Sequence, residues 1–423
     1  MIRQRRRMMR LPNWGIPALY SVVAVLAGLT LPRLESTLLP GSESGLSPGA
    51  AVAIFTSVGS GMIALTGIVF SLAFVMVQFS ATAYSPRLVL WIARDPVLWH
   101  AVGIFSATFL YAIAAIAWVE RSGTRGTPFL SGWLVIVLLL ASVGMFIALI
   151  EKLSLLQIHR MLAFTADHGR RVIEQTYPPL GTVAATPDAG EYLQLPVTET
   201  LHHAGRPRTI QALDIPALLA SSSAAGGIVV VVCAVGDTLV EGTVMLRVYG
   251  AQKAIDERSL RDAFAIGDER TFEQDPKYAI RLLVDIAIKA LSPAVNDPTT
   301  AVQALDQLED LLLRLGRRRL EIGAIRDRGG ALRLVIPYPT WDDFLILAFD
   351  EIRHCGATSV QVMRRMKALA ADLIAALPAE RHDSLRHYQK RLDATIAKSF
   401  EDAEEKEEAS MADRQGLGTP RTD

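Results

Sequence analysis

A chain of 423 residues with 51% hydrophobic side chains and a mean hydropathy of +0.29 is too apolar for an ordinary soluble protein, so membrane-spanning segments come first. The zero net charge hides an asymmetry between MIRQRRRMMR at the start and EDAEEKEE near the end; the basic run abuts an apolar segment and reads as a topology signal, so no nucleic-acid partner is implied. Cys233 and Cys355 are the only cysteines and lack CxxC spacing, which excludes a disulfide framework and a cysteine metal site.

Four apolar runs follow: Trp14 to Leu31, Ala50 to Ser80, Val97 to Val119 and Phe129 to Ile150. At about 1.5 Å of rise per residue, a hydrocarbon core of about 30 Å needs roughly 20 residues. The last three reach that length and the first is marginal. The first outruns a usual signal-peptide core and lacks an Ala-x-Ala exit, so it is read as a retained helix. Placing the N-terminus inside puts Arg3, Arg5, Arg6, Arg7, Arg10, Arg87, Arg94, Lys152 and Arg160 on one side, and leaves Arg33, Arg121 and Arg125 on the other. That bias predicts a multi-pass protein of the bacterial cytoplasmic (inner) membrane, in contact with the lipid bilayer and with both termini cytoplasmic.

Within the second run Ser57, Ser60, Ala64, Gly67, Ser71 and Gln78 recur at helical spacing and align small and polar groups on one face. Such a face meets another helix more readily than lipid, because small residues let backbones approach and hydroxyls bond across the contact. Tight packing is the plain reading and a pore or substrate-path lining the sharper one. No Asp, Glu, Lys or Arg lies inside the four runs, which argues against a proton-coupled pump.

Helical periodicity continues from Glu151 to Thr176. His159, Asp167 and His168 there match no zinc spacing and read as helix-surface residues. Pro178-Pro179 and the stretch through Gly190 form a linker. The β-branched run Ile228 to Ala234, the turn Val235-Gly236-Asp237 and Thr243 to Tyr249 then predict short strands. GGIVVVVCAVGDTLVEGTVMLRVYG resembles one half of a biotinyl/lipoyl-type barrel-sandwich hybrid. The lysine-bearing hairpin of those carriers is absent, so no cofactor is assigned and a small structural barrel is expected.

The centre of the second half is Arg270 to Leu315. Asp275-Pro276 and Asp297-Pro298 each pair an N-cap with proline at the first helical position, and SPAVNDP ends the first helix near Leu291. Ala279, Leu282, Leu283, Ile286 and Ala290 stripe the first helix; Val302, Leu305, Leu308, Leu312 and Leu315 stripe the second. Leu320 to Ile325 and Ala331 to Ile336 flank a predicted hairpin at Asp327-Arg328-Gly329-Gly330. Thr340 and Asp343 form a capping-box pattern opening a helix to about His354, and amphipathic helices are expected over Thr358 to Leu377 and Ala379 to Ser399. The fold class is an α+β membrane protein: a four-helix transmembrane region at 1–152, a cytoplasmic helix and linker at 153–190, a small β-barrel-like module at 191–255, a mainly helical cytoplasmic domain with a β-hairpin at 256–400, and a disordered tail at 401–423.

QFSATAYSPRL after the second run, RTFEQDPKYAIRLLVDIAIKALSPAVNDPTTA and the four-span anchor together resemble the bacterial predicted membrane proteins called domain of unknown function 2254. The resemblance covers most of the chain and implies an architecture without an activity.

The candidate functional corner gathers Ser292, Asn296 and Asp297 with Arg270, Glu273, Asp275, Arg281 and Asp285. Charged and amide groups in that company suit a cation, a phosphate or a partner strand. Equally, Asp297 is a cap, Asn296 tolerates turn geometry and Ser292 bonds local backbone. No His stands beside Ser292, and neither a nucleophile elbow nor a Gly-rich phosphate loop occurs, so no catalytic residue, metal or enzyme activity is assigned. The leading expectation is a homo-oligomeric channel or transport-related protein gated through its cytoplasmic domain. The alternative is a membrane-anchored sensory or binding scaffold, without catalysis, that takes a cytoplasmic ligand or protein.

Overall fold

The computed structural model describes residues 14–38, 47–83, 96–122, 129–154, 158–181 and 190–418. The basic N-terminal run, the flank holding Arg87 and Arg94, Arg125 and most of the linker lie outside them. The chain forms two compact units that divide at Arg160 and Met161.

The first unit holds four helices: α1 (Gly15–Leu38), α2 (Pro48–Ala83), α3 (Pro96–Ser122) and α4 (Phe129–Ser154). Each contains a stretch of 21 to 25 residues long and apolar enough to cross a membrane. The apolar window of α3 is 50% buried, against 17 to 22% for the others, so α3 is the post around which the unit is built. It can serve so because Ala101, Ala107, Ala112 and Ala115 present almost no side chain and let neighbouring backbones come close. Gly28 of α1 uses that space, since a Cβ there would stand 2.5 Å from the Ala114 Cβ. Polar pairs reinforce the post: the Tyr20 hydroxyl lies 3.2 Å from His100 Nδ1, and the Thr108 and Ser142 hydroxyls are 3.0 Å apart.

Glu35, just beyond the first apolar run, is 4% exposed. Its carboxylate accepts hydrogen bonds from the backbone N–H groups of Leu130 (2.8 Å) and Ser131 (3.3 Å), where α4 begins. An anion at a helix N-terminus satisfies orphan donors and meets the positive end of the macrodipole.

Among the described residues, the small and polar stripe of α2 lies on the side of the helix away from its buried residues. Ser57, Ser60, Gly67, Ser71 and Gln78 are all exposed, whereas Ala51, Phe55, Gly59, Met62 and Val69 form the buried face. At that joint α3 supplies small residues and α2 contributes Phe55, Met62 and Val69 beside Ala51 and Gly59.

The second unit begins with α5 (Ile158–Thr176) and continues as β1 (Val197–His202), β2 (Arg208–Leu213), α6 (Ile215–Ala225), β3 (Ile228–Val231), β4 (Thr238–Leu239) and β5 (Val244–Tyr249). Next come α7 (Glu257–Asp262), β6 (Phe264–Gly267), α8 (Pro276–Ala290), α9 (Pro298–Gly316), β7 (Ala324–Arg326) and β8 (Leu332–Val335). Four helices follow: α10 (Trp341–Cys355), α11 (Val360–Ala376), α12 (His382–Ser399) and α13 (Ala403–Ser410).

The strands make two open sheets, ordered β1-β5-β3-β8-β7 and β4-β2-β6. This corrects the barrel-like module. β3 and β5 pair antiparallel, but β4, which lies between them in sequence, joins the other sheet. The predicted hairpin is present as β7 and β8, and β8 runs parallel to β3 with Val229 opposite Leu334. A stretch assigned to the helical region thus completes the sheet of the β module. Val229, Val231, Leu246, Val248 and Leu334 bury one face together, and that apolar demand brings the distant hairpin in.

Within the stretch expected as a disordered tail, residues 403–410 form a capped helix. Asp402 accepts from the N–H groups of Glu404 (2.8 Å) and Glu405 (3.1 Å) and caps α13, whose Ala409 is fully buried. Arg364 donates to the Glu408 carbonyl (2.6 Å), and Arg414 clasps Asp372 through two bonds of 2.7 Å. The acidic composition resembles a solvated tail, but Glu408 pairs with Arg364 of α11 at 3.2 Å and Asp402 is a cap.

Candidate functional site

Asp275 is the N-cap of α8, and its Oδ1 accepts from the Tyr278 N–H at 3.2 Å. Its Oδ2 takes both the Nε (2.9 Å) and the Nη2 (2.6 Å) of Arg270, whose guanidinium lies 5.3 Å from the centre of the Tyr278 ring. Asp275 is 2% exposed, and burial pushes its carboxyl above the usual carboxylate range while Arg270 pulls the other way. Gly236, at φ +92°, seats the turn between β3 and β4 directly on this pair. A Cβ there would collide with Asp275 Oδ2 and stand 2.7 Å from Arg270 Nη2. Beside it Gln274, at φ +55°, clasps Leu213 at both backbone groups, 2.9 Å from its N–H and 3.1 Å from its carbonyl. The Arg270 to Asp275 segment therefore ties α8 to the Leu213 end of β2 and to the Gly236 turn.

One turn further along α8, Arg281 donates to Asp285 (2.7 Å) and reaches across to both carboxylate oxygens of Glu351 on α10. Those bonds hold Glu351 below the usual glutamate range. SPAVNDP forms a third, separate group. Ser292 donates to the Lys289 carbonyl (2.7 Å), Asn296 adopts φ +50°, and Asp297 accepts from Thr300 at its N–H (3.1 Å) and hydroxyl (2.6 Å). The helix boundaries read from the two prolines hold in the structure: α8 ends at Ala290 and α9 starts at Pro298 with Asp297 as its cap.

The eight corner residues are thus not brought together. Arg270 and Asp275 form one joint, Arg281 and Asp285 a second, and Ser292, Asn296 and Asp297 a third, while Glu273 is exposed. Among the described residues no group of three His, Cys, Asp or Glu side chains is placed to hold a metal. His168 lies between the tilted rings of Phe164 and Phe272, with centroids at 4.2 and 4.8 Å, and burial lowers its pKa.

A cleft of 490 Å³ is lined by Lys277 of α8, by Pro337, Tyr338 and Pro339, and by residues of α10 that include Glu351, the partner of Arg281. Lys277 lies between Asp275 and Arg281 in sequence and lines the cleft with Tyr338, Ile346, Asp350 and Glu351. Ile346 is 50% exposed and gives the cleft an apolar wall; burial raises the Tyr338 phenol. Lysine, phenol and carboxylate around an apolar patch can bind and orient a small polar-apolar molecule, and no nucleophile with a neighbouring base is among them. Sequence reading missed this cleft because its walls are more than 60 positions apart. The one local signal was Lys277, the first side chain after the Asp-Pro cap.

A family model described as "Predicted membrane protein (DUF2254)" matches residues 11–372. The uncharacterized protein Rv1290c of Mycobacterium tuberculosis is 29% identical over 372 residues, which cover 85% of this chain and 70% of that protein. The uncharacterized protein Mb1321c of Mycobacterium bovis matches to the same extent. No solved structure matches the chain. With the match running from the first apolar helix into α11, the chain belongs to the DUF2254 family of predicted membrane proteins.

Proposed function

We propose that this chain is a self-associating protein of the cytoplasmic membrane, of the channel or transport type, with its second unit on the cytoplasmic side as the part that responds to a ligand. The observation that carries this reading is the face that α2 turns away from its own bundle. Ser57, Ser60, Gly67 and Ser71 are exposed on a helix whose buried side is already complete, and Gly67 has open space around the position of a Cβ. In lipid, a face of glycine and hydroxyls gains little from acyl chains and more from a second helix, where backbones approach and hydroxyls find partners. Copies meeting through this face would bring hydroxyls, and no fixed charge, to a shared axis, which suits passive conduction better than proton-driven pumping.

The test is flux from liposomes holding oriented, folded protein against a panel of monovalent and divalent ions, alongside subunit counting in nanodiscs. Flux that disappears together with assembly in Gly67→Leu supports the proposal. Protein that is monomeric and passes no ion under any imposed voltage or pH overturns it. A second reading, a membrane-anchored sensory or binding scaffold without catalysis, is favoured by the Lys277 cleft. Assembly without flux, combined with a small molecule that raises the melting temperature of the full chain but not of Lys277→Ala, would select it.

A further inference from the structure

A second cavity of the second unit differs from the cleft in charge. It has a volume of 420 Å³, lies between α10 and α12, and is lined by Arg353, His354, Arg391, Thr395, Lys398 and Ser399 beside two alanines. No carboxylate is in that lining. Part of the charge has a local cause: Arg353 and His354 occupy the last turn of α10, Lys398 that of α12, and cations are stabilised at helix C-termini. That explains each cation singly. It does not explain why two helix ends place them around one space with hydroxyls and no acid.

The two guanidiniums are held in place by groups other than a ligand. Arg353 donates through Nη1 to Thr395 Oγ1 at 2.7 Å, and that hydroxyl donates onward to the Arg391 carbonyl at 2.8 Å, so the acceptor is fixed in orientation. Arg353 Nε is buried without an acceptor. Arg391 lies 5.2 Å from the Tyr388 ring centre and pairs with Asp350 at 2.8 Å. Among the described residues neither Arg353 nor Lys398 has a carboxylate partner, which leaves two uncompensated positive charges facing one cavity.

We propose that this pocket binds the phosphoryl group of a larger molecule. Two uncompensated charges match a phosphoryl dianion, a preset guanidinium offers paired N–H donors to tetrahedral oxygens, and hydroxyls complete the donor set. The volume falls within the range of about 300 to 1,000 Å³ typical of small-molecule sites, so there is room for more than the phosphoryl group itself. A soluble phosphorylated metabolite and the headgroup of an acidic phospholipid share this chemistry.

The experiment is calorimetric titration of the purified full chain in zwitterionic detergent, with pyrophosphate in one arm and short-chain phosphatidic acid in the other. Saturable binding is expected in at least one arm, weakened by about tenfold or more in Arg353→Gln and in Lys398→Gln, because each loses a charge-assisted contact. Arg261→Gln, which removes a cation from the surface of α7, is expected to leave the affinity unchanged. Binding of pyrophosphate assigns a soluble source, and binding of the lipid alone assigns the headgroup. Lys398 is exposed, so its variant keeps the test sound if Arg353→Gln fails to fold. Absence of saturable binding in both arms, or binding equal in wild type and Lys398→Gln, overturns the proposal.

Discussion

At the scale of single residues, the second unit is locked where side chains replace backbone pairing. Gly236 is required twice over, by its positive φ and by the Asp275 and Arg270 atoms packed against it. Gly236→Ala should cost about 1 to 3 kcal/mol, read as a fall in the denaturant midpoint of the full chain. Asp275→Asn keeps an acceptor for the Tyr278 N–H but strands Arg270, whose side chain is only 26% exposed, so a loss of about 2 to 3 kcal/mol is expected. Asp297→Ala removes the cap and the acceptor of the Thr300 hydroxyl and should cost about 1 to 3 kcal/mol. Glu351 supplies a pH signature. Arg281 depresses its pKa in the fold, so its stabilisation is present above the ordinary glutamate value of about 4.3 and is lost as pH falls through the lower folded value. Because Glu351 is half exposed, the effect is small, about 0.5 kcal/mol or less. Below the ordinary glutamate range the melting temperatures of wild type and Glu351→Gln should converge; a gap that widens on acidification would refute this assignment.

At the scale of elements, caps and turns carried most of the legible information. Asp-Pro at 275 and 297, Thr340 with Asp343, and Asp327 before two glycines each satisfy backbone donors through a nearby side chain, and each appears in the structure as spacing alone predicts. Asp214 before Ile215-Pro216 carries the same signal for α6, with Gly226 as its left-handed end, and it went unread beside the stronger strand pattern. β1 offered less to read, because VTETLH lies largely exposed and lacks alternation. α13 was hidden by its composition. Ending the chain after Phe400 should remove the acceptor of Arg364 and the cover over α11, lowering stability by about 1 to 3 kcal/mol. An unchanged melting temperature in that truncation would show that α13 contributes nothing to the unit.

At the scale of the whole molecule, glycine position separates packing within a copy from packing between copies. Gly28 lies against Ala114, so Gly28→Leu should destabilise the first unit by overpacking. Gly67 has open space, so Gly67→Leu should fold at least as well as wild type, gaining about 0.5 to 1 kcal/mol of helix propensity, and yet lose self-association. Comparing the two variants by thermal unfolding and by subunit counting tests the division directly. Assembly that survives Gly67→Leu would leave α2 as a lipid-facing helix.

The amino-acid sequence by itself determined the class of the molecule: four spans set by hydrocarbon thickness, and helix ends set by proline and capping chemistry, because these are local demands that a short window of residues meets alone. Tertiary structure decided which faces meet. α3 rather than α2 is the close-packed post, β8 pairs with β3, about a hundred residues earlier, and seven of the eight corner residues divide among three joints while the cleft and the basic pocket form between segments apart in sequence. Burial of apolar area is non-directional, and its partners are chosen by shape and volume across the chain, which no local pattern encodes.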